Sequence, residues 1–331
     1  MFRTVPVIAR AALTAFGILA TTAALAQDKV TFNMSWLPQG SVIGPIVAVD
    51  KGFYREAGLE VTLVRGYGGN RTANELDQGQ FQFGYVDPVS LMLNRSNGGN
   101  IRLVGAINTR WPGGVCFVEG KVKDKSLDSL KGLQMGGGSA SPVHNYVPAW
   151  LEMNGKPRDH LRLLRMDPAV VDASLIEGKT DLAECWRGSN RAVLRKQAAS
   201  AGVRISWIEY SDFGLNAYGS GFATTEEIIR TKPDLVRRFL RASYQGYQFA
   251  LTNPEQAADI MVKMYPTVDR GVALEQIQDI SDLLVDPQSP DRRLGFLRDD
   301  RIRSTTGFVD KAFGLAGKIK PEQIYTNELL K

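Results

Sequence analysis

A carboxylate, an indole and a guanidinium stand within four positions at Glu184, Trp186 and Arg187, at the end of the apolar run Leu182-Ala183-Glu184-Cys185-Trp186. They offer a hydrogen-bond acceptor, a flat stacking surface and a bidentate clamp for a carboxylate or sulfonate. Arg191, one helical turn on, extends that clamp; a salt-bridged arginine at a helix start is the equally open alternative. Comparable groups follow other apolar runs: Trp36 with Leu37, Pro38 and Gln39; Tyr67 with Gly68, Gly69 and Asn70; and Asp87 before Pro88. Gly138, Ser139 and Ser141 lie in a glycine-serine loop ahead of His144. Free backbone N–H groups at a glycine loop that opens a helix favour an anion. The aromatics favour a flat ligand, and Asp87 and Glu184 favour one that carries N–H groups or a positive charge. This is the chemistry of binding. G-x-S-x-G, H-E-x-x-H and G-x-x-x-x-G-K-[ST] are absent, and two histidines, His144 and His160, do not make a metal site. A binding protein without cofactor or metal is expected, not an enzyme.

These residues need elements to position them. Hydrophobic runs bounded by Gly, Pro and Asn predict strands over 30–36, 59–64, 80–86 and 102–107, with helices between them that include 71–78 and 89–95. A second alternating block predicts strands over 114–119, 132–135, 161–166, 180–186 and 203–210, with helices over 127–132, 144–154, 168–177 and 191–200. Alternation of this kind gives mostly parallel sheets flanked by helices. In such sheets ligands sit beyond the carboxyl ends of the strands, where the residues named above fall. A strand over 219–224 returns towards the first block, and helices over 233–251, 254–264, 274–284 and 306–315 follow. The aromatics Phe239, Tyr244, Tyr247 and Phe249 read as helical core.

The first 26 residues read as an export signal: Arg3 and Arg10, a short apolar run over 11–25, and Ala24-Leu25-Ala26 as the cleavage site. No later segment is apolar enough to span a bilayer, so a periplasmic, freely soluble product is expected. Without Arg3 and Arg10 the 40 basic residues become 38 against 35 acidic, a net charge of +3. That mild, scattered charge argues against nucleic acid as a partner. Some 300 remaining residues suggest two domains, at roughly 100–200 residues each. Cys116 and Cys185 both sit in apolar runs and read as small buried hydrophobes, with a bridge left open.

An ordered set of motifs carries a resemblance. It comprises Trp36-x-Pro38, Ala48-x-x-x-Gly52-Phe53-Tyr54-x-x-x-Gly58-Leu59-x-Val61, Gly79-x-x-x-Phe83-Gly84, Leu127-x-x-Leu130-Lys131-Gly132, Gly138-Ser139, Gly178-x-x-Asp181 and Lys232-Pro233-x-Leu235-Val236-x-x-Phe239-x-x-Ala242. It resembles the periplasmic solute-binding proteins that deliver nitrate, sulfonates, taurine or thiamine-precursor pyrimidines to ABC importers. The resemblance implies a two-lobed, type II periplasmic-binding-protein fold. Lobe 1 would take 27–110 and 219–331, and lobe 2 would take 111–218. It further implies a monomer that closes on one small organic solute and docks on an ABC permease driven by a cytoplasmic ATPase. Trp36 matches the first-loop tryptophan of the pyrimidine branch. Ser139 and Ser141 match the loop whose amides and hydroxyls serve sulfonate binders, so the ligand stays open between the two. The alternatives are an exported pyrimidine-processing enzyme on the same scaffold and a module that presents a ligand to a sensor.

Overall fold

The computed structural model describes residues 1–2, 27–139 and 141–330. The expected export signal therefore lies almost wholly outside the described residues. Two five-stranded sheets organise the chain. The first contains β1 (Asp28–Asn33), β2 (Leu59–Val64), β3 (Phe83–Val86) and β4 (Ile101–Ala106). The second contains β5 (Gly113–Val118), β6 (Gln134–Gly138), β7 (Arg162–Met166), β8 (Leu182–Trp186) and β9 (Ile205–Glu209). The returning strand β10 (Gly221–Thr225) then re-enters the first sheet.

The strand orders are β2-β1-β3-β10-β4 and β7-β6-β8-β5-β9. The two follow one plan. Three parallel strands are followed by one reversed strand, and that strand comes from across the molecule: β10 lies antiparallel to β3 and β4, and β5 antiparallel to β8 and β9. Two connections therefore link the halves, one on each side of the second sheet. They run side by side, with the Gly219 N–H donating to the Asn108 carbonyl at 2.9 Å and the Asn108 N–H donating to the Ser220 carbonyl at 2.8 Å.

The long helix Pro233–Thr252 starts on a proline, which has no N–H to leave unpaired there. Its apolar residues recur at helical spacing and face the first sheet. Phe239 stacks on Phe83 at 3.9 Å and on Tyr54 at 5.5 Å, and Tyr244 and Tyr247 are buried beside it. Three of the four expected core aromatics are thus buried, while Phe249 is half-buried. Several expected elements shrink: the helix over 127–132 is a single 3-10 turn, Asp128–Leu130, the strand over 80–86 pairs only from Phe83, and the strand over 203–210 is Ile205–Glu209.

The cysteines correct the plainer expectation. Cys116 and Cys185 are joined by a disulfide, with Cα atoms 5.4 Å apart. The register of β5 on β8 sets Cys116 opposite Ala183 and Gly114 opposite Cys185, which brings the two thiols together. Closing a loop of 69 residues in this way is worth about 4 kcal/mol in the chain-entropy account.

Candidate functional site

The loops beyond the strand ends of both sheets enclose one cleft of about 710 Å³. On the first sheet's side, Ser35 takes a left-handed conformation (φ 64°) after β1, its N–H donating to Asn33 Oδ1 at 2.8 Å. Trp36, Leu37, Pro38 and Gln39 follow along the cleft. The loop after β2 is tied to this one: the Gly68 N–H donates to the Ser35 carbonyl at 2.7 Å, and the Gly66 N–H to the Trp36 carbonyl at 3.3 Å. Trp36 and Tyr67 therefore share one rim. Both keep much of their surface in water, at 40% and 56% exposed. Large apolar surface left open at a cleft mouth marks a contact surface.

Asp87 caps the helix Pro88–Ser96, accepting from the Ser90 N–H at 2.9 Å and the Ser90 hydroxyl at 2.6 Å. Gly69 lies against it. A Cβ there would fall 2.2 Å from Asp87 Oδ2, so only glycine lets this carboxylate sit at the cleft wall.

The second sheet's side holds the sharpest departure from expectation. Glu184 accepts from the Gly138 N–H at 2.7 Å, the Ser141 hydroxyl at 2.5 Å and the Trp186 indole N–H at 3.2 Å. The donors expected to cradle an anion are already bound to the protein's own carboxylate. Ser139 is exposed and off the cleft, its N–H donating to the Met166 carbonyl and its own carbonyl accepting from Arg165. His144 does not reach the cleft lining either. Its Nε2 pairs with the Gly138 carbonyl at 3.0 Å, and desolvation lowers its pKa below the usual histidine range.

The arginine clamp is also overturned. Arg187 donates to the Asp279 carbonyl at 2.7 Å and pairs with Asp282, with Glu209 3.6 Å away. Arg191 pairs with Asp279 and Glu209, its guanidinium 4.4 Å from the Trp207 ring centroid. Asn70 is exposed in the first turn of the helix Gly69–Asp77 and is not part of the lining. Of the expected residues, Trp36, Pro38, Gln39, Tyr67, Gly69, Asp87, Gly138, Ser141, Glu184 and Trp186 line the cleft, and Arg187 lines a smaller pocket that shares Asp87, Trp111 and Trp186 with it; Asn70, Ser139 and His144 line neither.

Trp111, which the sequence leaves open between pocket lining and hinge packing, lines the cleft, as do Asp172, Asn190 and Gln276, which sequence reasoning passed over. Trp111 lies 5.8 Å from Trp186 and stacks on Tyr146 at 4.4 Å. Asn190 donates to Asp172 Oδ1 at 3.1 Å. Burial, with a smaller push from Glu184, raises the Asp172 carboxyl to about 6 against the opposing Asn190 bond. Gln276 bridges the halves: its Oε1 accepts from the Gly40 N–H at 3.0 Å and its Nε2 donates to the Ser189 carbonyl at 2.9 Å. Among the described residues the lining of this cleft holds three carboxylates, Asp87, Asp172 and Glu184, and the adjoining pocket adds one cation, Arg187, already paired with Asp282. Among them, too, no group of three His, Cys, Asp or Glu side chains is placed to hold a metal, and no helix is long and apolar enough to cross a membrane.

The family described as NMT1/THI5 like matches residues 39–257. The riboflavin-binding protein RibY of Chloroflexus aurantiacus is 26% identical over 310 residues, 92% of this chain and 86% of its own. The 4-amino-5-hydroxymethyl-2-methylpyrimidine phosphate synthase THI5 of Saccharomyces cerevisiae is 22% identical over 261 residues, 77% of this chain and 76% of its own. Among solved structures, the periplasmic aliphatic sulphonate binding protein SsuA of Escherichia coli superposes with a TM-score of 0.69 at 14% identity, covering 90% of this chain and 91% of that one. The fold is accordingly that of the periplasmic binding proteins.

Proposed function

The chain belongs to the NMT1/THI5-like family, and from that premise we propose that it is a periplasmic substrate-binding protein of an ABC importer. Its ligand is a flat, nitrogen-rich heterocycle of the thiamine-precursor pyrimidine kind, gripped between two lobes and delivered to a permease. The lobes divide as 27–110 with 219–331 against 111–218, the segment 1–26 acts as the export signal, and the protein works as a monomer.

One observation carries the choice of ligand: the cleft is walled by Trp36, Tyr67, Trp111 and Trp186 together with three carboxylates, and Arg187, in the pocket that adjoins it, is committed to Asp282. Indoles stack on a flat ring, and carboxylates accept from ring and amino N–H groups. A sulfonate or nitrate would face like charge, and the glycine-serine loop's donors are engaged by Glu184. The names of two relatives point the same way, since riboflavin and an aminopyrimidine are both flat nitrogen heterocycles. Closure requires that the ligand touch both walls and favour the closed state.

Calorimetric titration with 4-amino-5-hydroxymethyl-2-methylpyrimidine, riboflavin, taurine and nitrate tests the reading. A heterocycle is expected to bind at one site, and mass spectrometry is expected to recover it unchanged. Tighter binding of taurine or nitrate refutes the ligand class, and a chemically altered heterocycle refutes the non-enzymatic role.

A further inference from the structure

Asp172 has no part in the residues that made the cleft legible, yet it is the least engaged of the three carboxylates in the cleft wall. Asp87 is engaged by two donors from Ser90 and Glu184 by three donors. Asp172 has one, the Asn190 amide on Oδ1, and its Oδ2 accepts from no group among the described residues. Asn190 cannot swing to serve it. Its Nδ2 also donates to the Glu184 carbonyl at 3.2 Å, and its Oδ1 accepts from the Trp186 N–H at 2.9 Å. Asp172 Oδ2 is not sealed from solvent, whereas a buried unmet group lies in the same wall: the indole N–H of Trp111, without an acceptor. A buried polar group without a partner calls for a reason.

We propose that Asp172 is a specificity-determining residue of this cleft, selecting with Glu184 a flat ligand whose edge presents a cationic, amidine-type pair of N–H groups. The inference rests on the heterocycle reading and narrows it to ligands charged on that edge. Asp172 sits on the short helix Val171–Ile176, which packs against β5, β6, β8, the 3-10 turn Pro168–Val170 and the helix Asn190–Ser200. Of these, β8 supplies Glu184, while β5 and β6 supply no charged residue. Asp167, at the head of the 3-10 turn, is occupied by the Ala169 N–H. Arg191, Arg195 and Lys196 of the last helix pair with Asp279, Glu275 and Asp269. The field at Asp172 is thus negative. It favours an incoming cation, and the same field with burial holds the carboxyl protonated below about pH 6. A cation needs the ionised form, so its affinity falls as the pH drops.

Benzamidine, which stays charged throughout the range, and the neutral benzamide are the probes, titrated into the intact protein near pH 7.5 and near pH 5. Benzamidine is expected to bind more tightly than benzamide near pH 7.5 and to weaken about tenfold near pH 5, because only about a tenth of Asp172 is then ionised. Asp172→Asn is expected to lose that preference and most of that pH dependence. Any remainder would report His144. The wild-type profile needs no variant to fold. Equal affinity for the two probes, or a benzamidine affinity unchanged by pH or by Asp172→Asn, overturns the role of Asp172. Trp36→Ala separates the two levels: if both probes bind equally and both weaken in Trp36→Ala, the aromatic cleft stands and Asp172 falls. If neither probe binds, both fall.

Discussion

Arg191 and Asp279 meet across the two halves of the molecule, Nε lying 3.1 Å from Oδ2 with a second guanidinium N–H on Oδ1. Arg191 belongs to the helix Asn190–Ser200 after β8. Asp279 belongs to the helix Arg270–Leu284, which packs on the helices covering the first sheet. Flanking pairs extend the line: Arg187 with Asp282, Arg195 with Glu275 at 2.6 Å, and Lys196 with Asp269 at 2.5 Å. The central pair is a two-toothed bond between nearly buried side chains, while the outer ones are open to water.

Asp279→Asn removes the charge that faces Arg191 from the other half and leaves Glu209 as its sole carboxylate. Ligand affinity is expected to fall by roughly 2–5 kcal/mol, with the ligand-bound protein more extended in small-angle scattering. Raising salt should weaken the outer pairs first and reproduce only a small part of this change. An unchanged scattering profile and affinity in the variant would show that the pair does not hold the halves together.

Trp36→Ala and Trp186→Ala are each expected to weaken heterocycle binding by roughly 1–3 kcal/mol, the worth of a stacked aromatic on a buried flat ligand. The two should differ in their effect on the free protein. Trp36 is an exposed rim residue, whereas Trp186 also donates to Glu184. Only the second variant should lower the melting temperature noticeably.

Glu184→Ala should convert the ligand preference. It frees the Gly138 N–H and the Ser141 hydroxyl and removes one negative charge. Taurine, expected to show no binding to the wild type, should then bind measurably by calorimetry, while affinity for the heterocycle drops. Taurine binding that is absent from both proteins would mean that this loop cannot serve an anion even when vacated.

Asp172 also bears on stability. Its carboxyl is raised in the folded protein, to about 6, while the unfolded chain titrates near 3.8. Between those values the folded state holds more protons, so falling pH favours folding. Above about pH 6 the ionised carboxylate is a standing cost of on the order of 3 kcal/mol. Asp172→Asn is therefore expected to melt above the wild type at pH 8, and the gap should shrink towards pH 4. A gap that does not change with pH would mean that ionisation of the buried carboxyl is not its cause.

The disulfide predicts that the protein, unfolded without reductant, takes up no thiol-alkylating label on Cys116 or Cys185. Replacing both by serine should cost about 2–5 kcal/mol of stability.

Much of this architecture was legible because strands and their following loops leave local signatures. Apolar runs bounded by glycine and proline located each strand of the first sheet, and the rule that ligands sit beyond strand ends picked out Trp36, Tyr67, Asp87 and Trp186. What escaped was decided at long range. Arg187 reads as a free anion clamp until Asp279 and Asp282, more than 90 positions later, are folded against it. Ser141 reads as an anion cradle until Glu184, 43 positions away, takes its hydroxyl. Asp172 follows a proline turn rather than a strand, so no local pattern flagged it. The disulfide needed the register of two antiparallel strands, which no single segment encodes.

The paired connections between the halves have a mechanical meaning. In the proposed closure, the two backbones joined at Asn108, Gly219 and Ser220 are where the halves would pivot. Tyr85, a cleft residue, is fastened to that pivot through its hydroxyl on Asn108 Oδ1 at 2.6 Å. A guest in contact with Tyr85 is thus a single hydrogen bond away from the paired connections.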